Sequence, residues 1–363
     1  MGFLQRFDHT APRRDSWLDY DKGISIILVS FRHCYESLAN TGLDMKSYPA
    51  LEYINLFLFG FRMPLFFIAS GIFFSSSIAK RGLGKYAVVR VQNILYPMLV
   101  WGSIQLTLQI LFSSYTNTVY GPSDYLSLIT DPRRIGQFWY LNALFCVGLL
   151  YAFLKIKFKL NIYSQLILGL LMYFGVSVLR QQFIYLGFIM DILQYYLFFG
   201  IGDFISTLVK SEQSKKVLSS YWLLLILLPI FFIVQYLFTD LNMLHQDSYY
   251  VEHTMPVFYL LVSSVGCLLS INISFILSAL NLANYIRIIG FHSIYIFCMQ
   301  IILMASVRIF LVKVCLITYV PLLVSVLLFT GIIFPIVVYN LFVKMKMEWL
   351  FTFNPSFIKS KVN

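Results

Sequence analysis

The chain has 363 residues, of which 59% are hydrophobic and only 12% are charged, and its formal net charge is +11 at pH 7. A soluble protein of this composition would have more apolar surface than it could bury, so the sequence predicts an integral membrane protein. In such a protein the excess of positive charge is a topology signal, and we expect a lipid bilayer rather than nucleic acid as its surroundings.

Apolar runs of about the length that crosses a bilayer follow one another along the chain. The runs cover residues 22–38, 53–77, 92–113, 138–154, 163–179, 190–208, 221–238, 257–280, 292–312 and 319–343. The sequence therefore predicts an all-α polytopic bundle of about ten transmembrane helices. One membrane domain, residues 22–343, is expected between an N-terminal segment 1–21 and a C-terminal tail 344–363.

Lys and Arg residues concentrate in alternate connections, beginning with the N-terminal segment. Because positively charged loops stay on the cytoplasmic side, this pattern predicts that both termini are cytoplasmic. No small-residue cleavage pattern follows the first apolar run, which we interpret as a retained signal anchor. The five cysteines lie in or at the ends of apolar runs, so neither a disulfide framework nor a metal site is expected.

Ionisable side chains run through the whole first helix, at Lys22, Arg32, His33 and Glu36. Lys22 and His33 share a helix face and are separated by a rise of about 16 Å. With Lys22 at one surface, His33 is predicted near the middle of a hydrocarbon core about 30 Å thick. His33 could act as a general base on a hydroxyl and Glu36 could orient it. The alternative is a polar residue that neighbouring helices satisfy.

A basic segment follows the second helix and contains Lys80, Arg81, Lys85 and Arg90 beside two glycines. These cations could bind the phosphates of a cytoplasmic ligand. They could equally be a topology signal or contacts with anionic lipid. The residues alone leave both interpretations open.

Arg62 stands close to Pro64 in the second apolar run. Proline inside a membrane helix frees a carbonyl and kinks the helix, so we expect one kinked helix across residues 53–77. An arginine beside such a kink should point inward, to a carboxylate, a phosphate or a carbonyl.

Trp139 and Tyr140 open the fourth run, where an aromatic belt at the outer interface is the ordinary interpretation. Gln300 and Arg308, in the ninth run, should face inward. They could contact a ligand or serve as polar contacts between helices.

Several segments together resemble the acyltransferase-3 family of membrane O-acyltransferases, and especially its fucose 4-O-acetylase-like branch. WLDYDKGISIILVSFRH resembles the first helix of the family, with Lys22 at its basic position and His33 at its catalytic histidine. FRMPLFFIASGIFF resembles the second conserved block, with Arg62 where the family usually has histidine. WYLNALF resembles a W-F-L-x-A-L-F block.

Two further blocks match the family with departures. RVQNILYPMLVW resembles the R-x-x-R-x-x-x-P element that is thought to meet the acyl donor; Arg90 matches, and Asn93 replaces the second arginine. FHSIYIFCMQ resembles a helix-nine segment in which Gln300 stands at the usual histidine.

The resemblance implies transfer of an acetyl group from acetyl-CoA to a hydroxyl of a cell-envelope polysaccharide or lipid-linked sugar, without a metal, in a bacterial inner membrane. The residues expected to serve it are His33, Glu36 and Arg62 for catalysis; Lys22, Arg90, Asn93, Lys80, Arg81 and Lys85 for the donor; and Trp139, Tyr140, Gln300 and Arg308 for the acceptor. His33 could serve as the base or as a transient acyl carrier. From the residues alone, a transporter or flippase for a lipid-linked or anionic substrate is the alternative.

Overall fold

A computed structural model describes residues 16–115, 118–209 and 211–353, and within these ranges the chain forms helices and connections without a strand. The predictions for residues 1–15 and 354–363, parts of the expected terminal segments, lie outside the described residues. The α-helices of the described part are α1 Ser16–Ala39, α2 Pro49–Phe57, α3 Arg62–Ile72, α4 Phe74–Arg90, α5 Tyr96–Leu111, α6 Asp124–Thr130, α7 Pro132–Ile135, α8 Trp139–Lys157, α9 Ile162–Gln181, α10 Ile189–Ile205, α11 Glu212–Leu218, α12 Tyr221–Leu244, α13 Tyr250–Thr254, α14 Pro256–Leu280, α15 Asn284–Phe291, α16 Ser293–Ile309 and α17 Val320–Lys344.

Among the residues that the structure describes, eight helical segments are long and apolar enough to cross a membrane. They are Pro49–Ile72, Phe74–Leu111, Trp139–Lys157, Ile162–Gln181, Tyr221–Leu244, Pro256–Leu280, Ser293–Val314 and Val320–Lys344. Two other long helices match the remaining predicted runs: α1, which carries several charges, and α10, which has 17 residues. The predicted all-α membrane bundle is confirmed, whereas the count of ten crossings and the cytoplasmic termini stay predictions.

The two ends of the bundle are named here from α1: it begins at the proximal end and finishes at the distal end. At the proximal end the Ser16 and Ser278 hydroxyls lie 2.5 Å apart, which joins the start of α1 to the end of α14. At the distal end Ser177, near the end of α9, donates a hydrogen bond to the His253 carbonyl at 2.9 Å. α14 therefore ends at the proximal end, where α1 begins, and α9 ends at the distal end.

Glycines allow two pairs of helices to touch backbone to backbone. A Cβ on Gly290 of α15 would meet the Asp19 carbonyl of α1. In the same way, a Cβ on Gly202 of α10 would meet the Ile68 carbonyl of α3, and one on Gly71 would meet the Phe199 carbonyl. Small residues permit this close approach, which membrane helices use because the hydrophobic effect does not drive them together in lipid.

The helix in the run 53–77 does not break at Pro64, where a kink was expected. The helix is interrupted at residues 58–61, between α2 and α3, and again before α4 at Phe74. Pro64 is then the third residue of α3, a position where a backbone N–H would have no acceptor within the helix, so proline costs no hydrogen bond. The break therefore precedes the proline, and it places Arg62 at the start of a helix inside the bundle.

The α3 and α10 crossing gives a prediction about stability. Gly202→Ala should lower the free energy of unfolding by about 1–3 kcal/mol, because the added methyl group clashes with the backbone carbonyl of Ile68, which cannot rotate away as a side chain could. The measurement is an SDS titration of the purified chain in detergent. Gly175→Ala is the matched control, since Gly175 lies in α9 with nothing within 4 Å of an added Cβ. Equal stability of the two variants would contradict the close crossing.

Candidate active site

Three ionisable side chains in the last turns of α1 form one connected group. The Glu36 carboxylate lies 2.6 Å from Arg32 Nη2 through Oε1 and 3.3 Å from His33 Nδ1 through Oε2. Spacings of three and four residues bring side chains together on one face of a helix, so the geometry follows from local sequence. Glu36 thus lies against both a guanidinium and an imidazole, and His33 Nε2 is left as the nitrogen directed away from the carboxylate.

Contacts from distant parts of the chain fix Arg32. Its Nη2 donates to the Tyr249 hydroxyl at 2.9 Å, and its guanidinium lies 4.5 Å above the centre of the Phe59 ring. Arg32 Nη1 is buried and has no hydrogen-bond partner among the described residues. One donor of this guanidinium is therefore available to a ligand.

Arg62 has a different environment, because helix backbone and an amide accept its hydrogen bonds. Its Nη1 donates to the Leu28 carbonyl at 3.1 Å, and its Nη2 donates to the Asn55 carbonyl at 3.2 Å. The side chain of Asn55 also accepts from it, at 3.4 Å. Arg62 is only 2% exposed. It ties α1 to α2 and α3 in addition to facing the site.

Two cavities meet at His33. The larger has a volume of about 650 Å³ and is lined by distal residues of α1, α5 and α16; the smaller measures about 280 Å³ and extends toward α7, α8 and α13. His33, Glu36 and Ile301 belong to the walls of both. Ligand sites commonly occupy about 300–1,000 Å³, so the larger cavity is of ligand size and the smaller is close to the lower bound.

The larger cavity opens at the distal end of the bundle. Its wall includes Asn40, Phe112 and Thr118, which are exposed at that end. Since α1 begins at Ser16, His33 lies about 26 Å along the helix and about 9 Å before its end at Ala39. His33 is thus closer to the distal end of α1 than to its start, and its depth in the membrane stays a prediction.

The residues predicted to bind the acceptor divide into two groups. Trp139 lines the smaller cavity, with the Arg133 guanidinium 4.1 Å above the centre of its ring. Arg308 lines the larger cavity and donates to the Ser37 carbonyl at 2.7 Å. Gln300 lines neither cavity; it is fully buried and accepts a hydrogen bond from Ser30 at 2.6 Å.

Tyr140 also lies outside the cavity walls. It is 5% exposed, and its ring centre lies 5.3 Å from those of Phe66 and Phe297 and 5.5 Å from that of Phe67. The interpretation of Tyr140 as part of an interfacial belt is therefore wrong. We call Phe66, Phe67, Tyr140 and Phe297 the aromatic layer.

The residues predicted to bind the donor line neither cavity. Arg90 turns into the bundle on the proximal side of the aromatic layer, donates from Nη2 to the Leu144 carbonyl and lies against Gly148. Its guanidinium is 5.6 Å above the centre of the Tyr86 ring. Three other residues predicted to bind the donor are exposed at the proximal end: Lys80, Arg81 and Lys85. The remaining two, Lys22 and Asn93, are half-buried.

Four polar residues near His33 were not singled out from the sequence: Asn55, Arg133, Tyr249 and Glu252. Asn55 holds Arg62, Tyr249 holds Arg32, and Arg133 and Glu252 line the smaller cavity. Three of them come from distal connections that resemble ordinary polar loops. Charged residues beside aromatic ones are only a weak sequence signal for a functional site. The fold is what brings these four residues close to α1.

The chain was compared with known families and proteins. The model of a family described as an acyltransferase domain matches residues 15–340. A nodulation protein, NolL, from Mesorhizobium japonicum is 30% identical over 154 residues. That match covers 41% of this chain and spans 38% of the length of NolL. No solved structure matches the chain.

The distal opening can be tested by labelling engineered thiols. In a background with Cys315→Ser and Cys146→Ser, Ser37→Cys should react with a membrane-impermeant maleimide added to intact cells, because Ser37 lines the open cavity. Ser30→Cys on the same helix is the control and should stay unlabelled, since Ser30 is fully buried. Labelling of Ser37→Cys from the cytoplasmic face alone would contradict the predicted orientation.

Proposed function

The chain belongs to the acyltransferase domain family, and on that basis we propose that it transfers an acetyl group from acetyl-CoA to a hydroxyl of a cell-envelope polysaccharide or lipid-linked sugar, in a bacterial inner membrane. The observation that carries the proposal is the group formed by Arg32, His33 and Glu36 where two cavities meet. A two-substrate reaction needs one reactive group that both substrates can reach, and His33 lies in both walls.

His33 acts as the general base in this proposal. Contact of its Nδ1 with Glu36 favours the tautomer that carries the proton on Nδ1 and leaves Nε2 free to accept one. Nε2 takes the proton of the acceptor hydroxyl while the oxygen of that hydroxyl forms a bond to the thioester carbonyl carbon. The carbon–sulfur bond then breaks, and the sulfur of CoA leaves with the proton from the imidazolium. Glu36 stabilises the imidazolium while it carries that proton.

The oxygen of the tetrahedral intermediate needs a donor directed at it. Arg62 is one of the residues expected to serve catalysis, but its donors have partners in Leu28 and Asn55. Arg32 Nη1 is buried, lacks such a partner among the described residues, and belongs to a side chain in the wall of the smaller cavity. We therefore assign the oxyanion contact to Arg32 and a supporting role to Arg62.

The donor approaches from the proximal end, where Arg90 and the exposed Lys80, Arg81 and Lys85 supply charge for the phosphates of CoA. Lys22 and Asn93 lie along the same approach in this proposal. Leu144, whose carbonyl accepts from Arg90, is one helical turn from Tyr140, about 6 Å along α8. The thioester end then reaches His33 by displacing the aromatic layer.

The acceptor enters from the distal end. The larger cavity offers Gln105, Gln109 and Asn40 beside apolar residues such as Leu108 and Ile302. Side-chain amides both donate and accept hydrogen bonds, which suits sugar hydroxyls, whereas the apolar wall suits the ring faces of a sugar or a lipid carrier. Arg308 and Trp139 border this approach, and Gln300 supports α1 from behind.

His33→Gln should lower acetyl transfer by roughly 10²–10⁴-fold, because the base is lost while the bundle is kept. The measurement combines release of the CoA thiol with incorporation of labelled acetyl into glycosides, using the purified chain in proteoliposomes. His245→Gln, at an exposed distal position, is the matched control and should keep wild-type activity. Movement of unmodified glycan without thiol release would instead identify a transporter.

Arg32 and Arg62 should respond differently to substitution by glutamine. Arg32→Gln should lower kcat by roughly 10²–10³-fold through loss of the oxyanion donor. Arg62→Gln should mainly lower the thermal stability in detergent, because a buried guanidinium that joins α1 to α2 and α3 is lost. An Arg62→Gln enzyme that melts like wild type but has lost kcat would assign the oxyanion contact to Arg62 instead.

A further inference from the structure

Glu252 is a buried carboxylate in the wall of the smaller cavity, which it shares with His33. It lies in α13, in the distal connection between α12 and α14, and is 3% exposed. Its nearest cation is Arg180, whose Nη1 lies 3.6 Å from Oε1. No hydrogen bond reaches Oε1 from the described residues.

The neighbouring ionisable groups have closer partners. Asp191 receives Arg133 Nε at 2.8 Å and Nη2 at 2.7 Å on the same oxygen. Burial opposes the charge on Arg133, but the Asp191 carboxylate outweighs it and holds the pKa of the guanidinium above its ordinary value. Arg180 donates to the Gln194 side chain at 3.1 Å. The hydrogen bonds of the neighbouring cations are thus directed elsewhere, and Glu252 receives none of them.

A buried carboxylate oxygen without a hydrogen bond is costly, so such an atom in a cavity wall indicates a ligand that donates. The rest of the wall contains the donor Arg32, whose Nη1 has no hydrogen-bond partner among the described residues, the acceptor Glu36 and the amphipathic Tyr249. A ligand for this set must itself donate and accept hydrogen bonds at several positions. A polyhydroxylated ring meets that requirement.

We propose that Glu252 binds the acceptor sugar by accepting a hydrogen bond from a second hydroxyl while the reacting hydroxyl faces His33. The inference rests on the proposed acyl transfer and adds a substrate class to it: acceptors that present at least two hydroxyls across the smaller cavity. The sugar being modified then occupies the smaller cavity, and the remainder of the acceptor extends into the larger one.

The test uses the full chain in proteoliposomes with acetyl-CoA and a panel of methyl hexopyranosides and methyl 6-deoxyhexopyranosides. Glu252→Gln keeps the side-chain volume but replaces a charged acceptor by a neutral one. The KM for the glycoside should rise about tenfold, whereas the KM for acetyl-CoA should stay at the wild-type value. Asp240→Asn, an exposed carboxylate of α12, is the matched control and should behave as wild type.

Monodeoxy analogues of the best glycoside identify the contact. The analogue that lacks the second hydroxyl should have the same KM with the wild type and with Glu252→Gln, because the contact is already absent. An unchanged glycoside KM in Glu252→Gln would overturn the inference. A variant with lower thermal stability and raised KM values for both the glycoside and acetyl-CoA would also overturn it. Failure of the wild type to release CoA thiol with any glycoside would instead reject the proposed function.

Discussion

The Glu36 carboxylate, in contact with Arg32 on one side and His33 on the other, is the interaction that the site depends on. All three residues lie within five positions of one helix, so α1 sets their spacing without help from the fold. The fold supplies restraint: Tyr249 and Phe59 fix the guanidinium that holds the carboxylate. These contacts hold the group in place. A ligand can still reach it, because Glu36 lines both cavities.

The part of the site that could be predicted is the part that is local in sequence. Apolar runs identified the helices, and spacings of three and four residues identified His33 with Glu36. Tyr249 and Glu252 could not be placed in the same way, because they are more than 200 residues away in the chain and reach α1 only through the packing of α12, α13 and α14. Their loop resembles many polar loops, and no periodicity distinguishes it.

Two features that the sequence did not reveal have a common physical cause: neighbours in sequence can lie on different sides of a helix break. Pro64 suggested a kink, yet the helix is interrupted before Arg62, so the proline falls in a first turn that tolerates it. Arg90 was grouped with exposed Lys80, but the helix is kinked between them at Gly82, where φ is 69° and ψ is 171°. The Arg90 guanidinium then lies against Gly148 inside the bundle. A wider π-helical turn over Val91–Leu95 follows Arg90. Such turns often occur at functional sites.

The aromatic layer lies between Arg90 on the proximal side and His33, so in the proposed reaction it is what the donor displaces. Tyr140 meets Phe66, Phe67 and Phe297 through ring contacts, each worth about 0.5–1.5 kcal/mol. In the proposed reaction, the thioester arm of the donor would have to offset the loss of these contacts with contacts of its own. The proposed transfer therefore requires this layer to open when the donor binds.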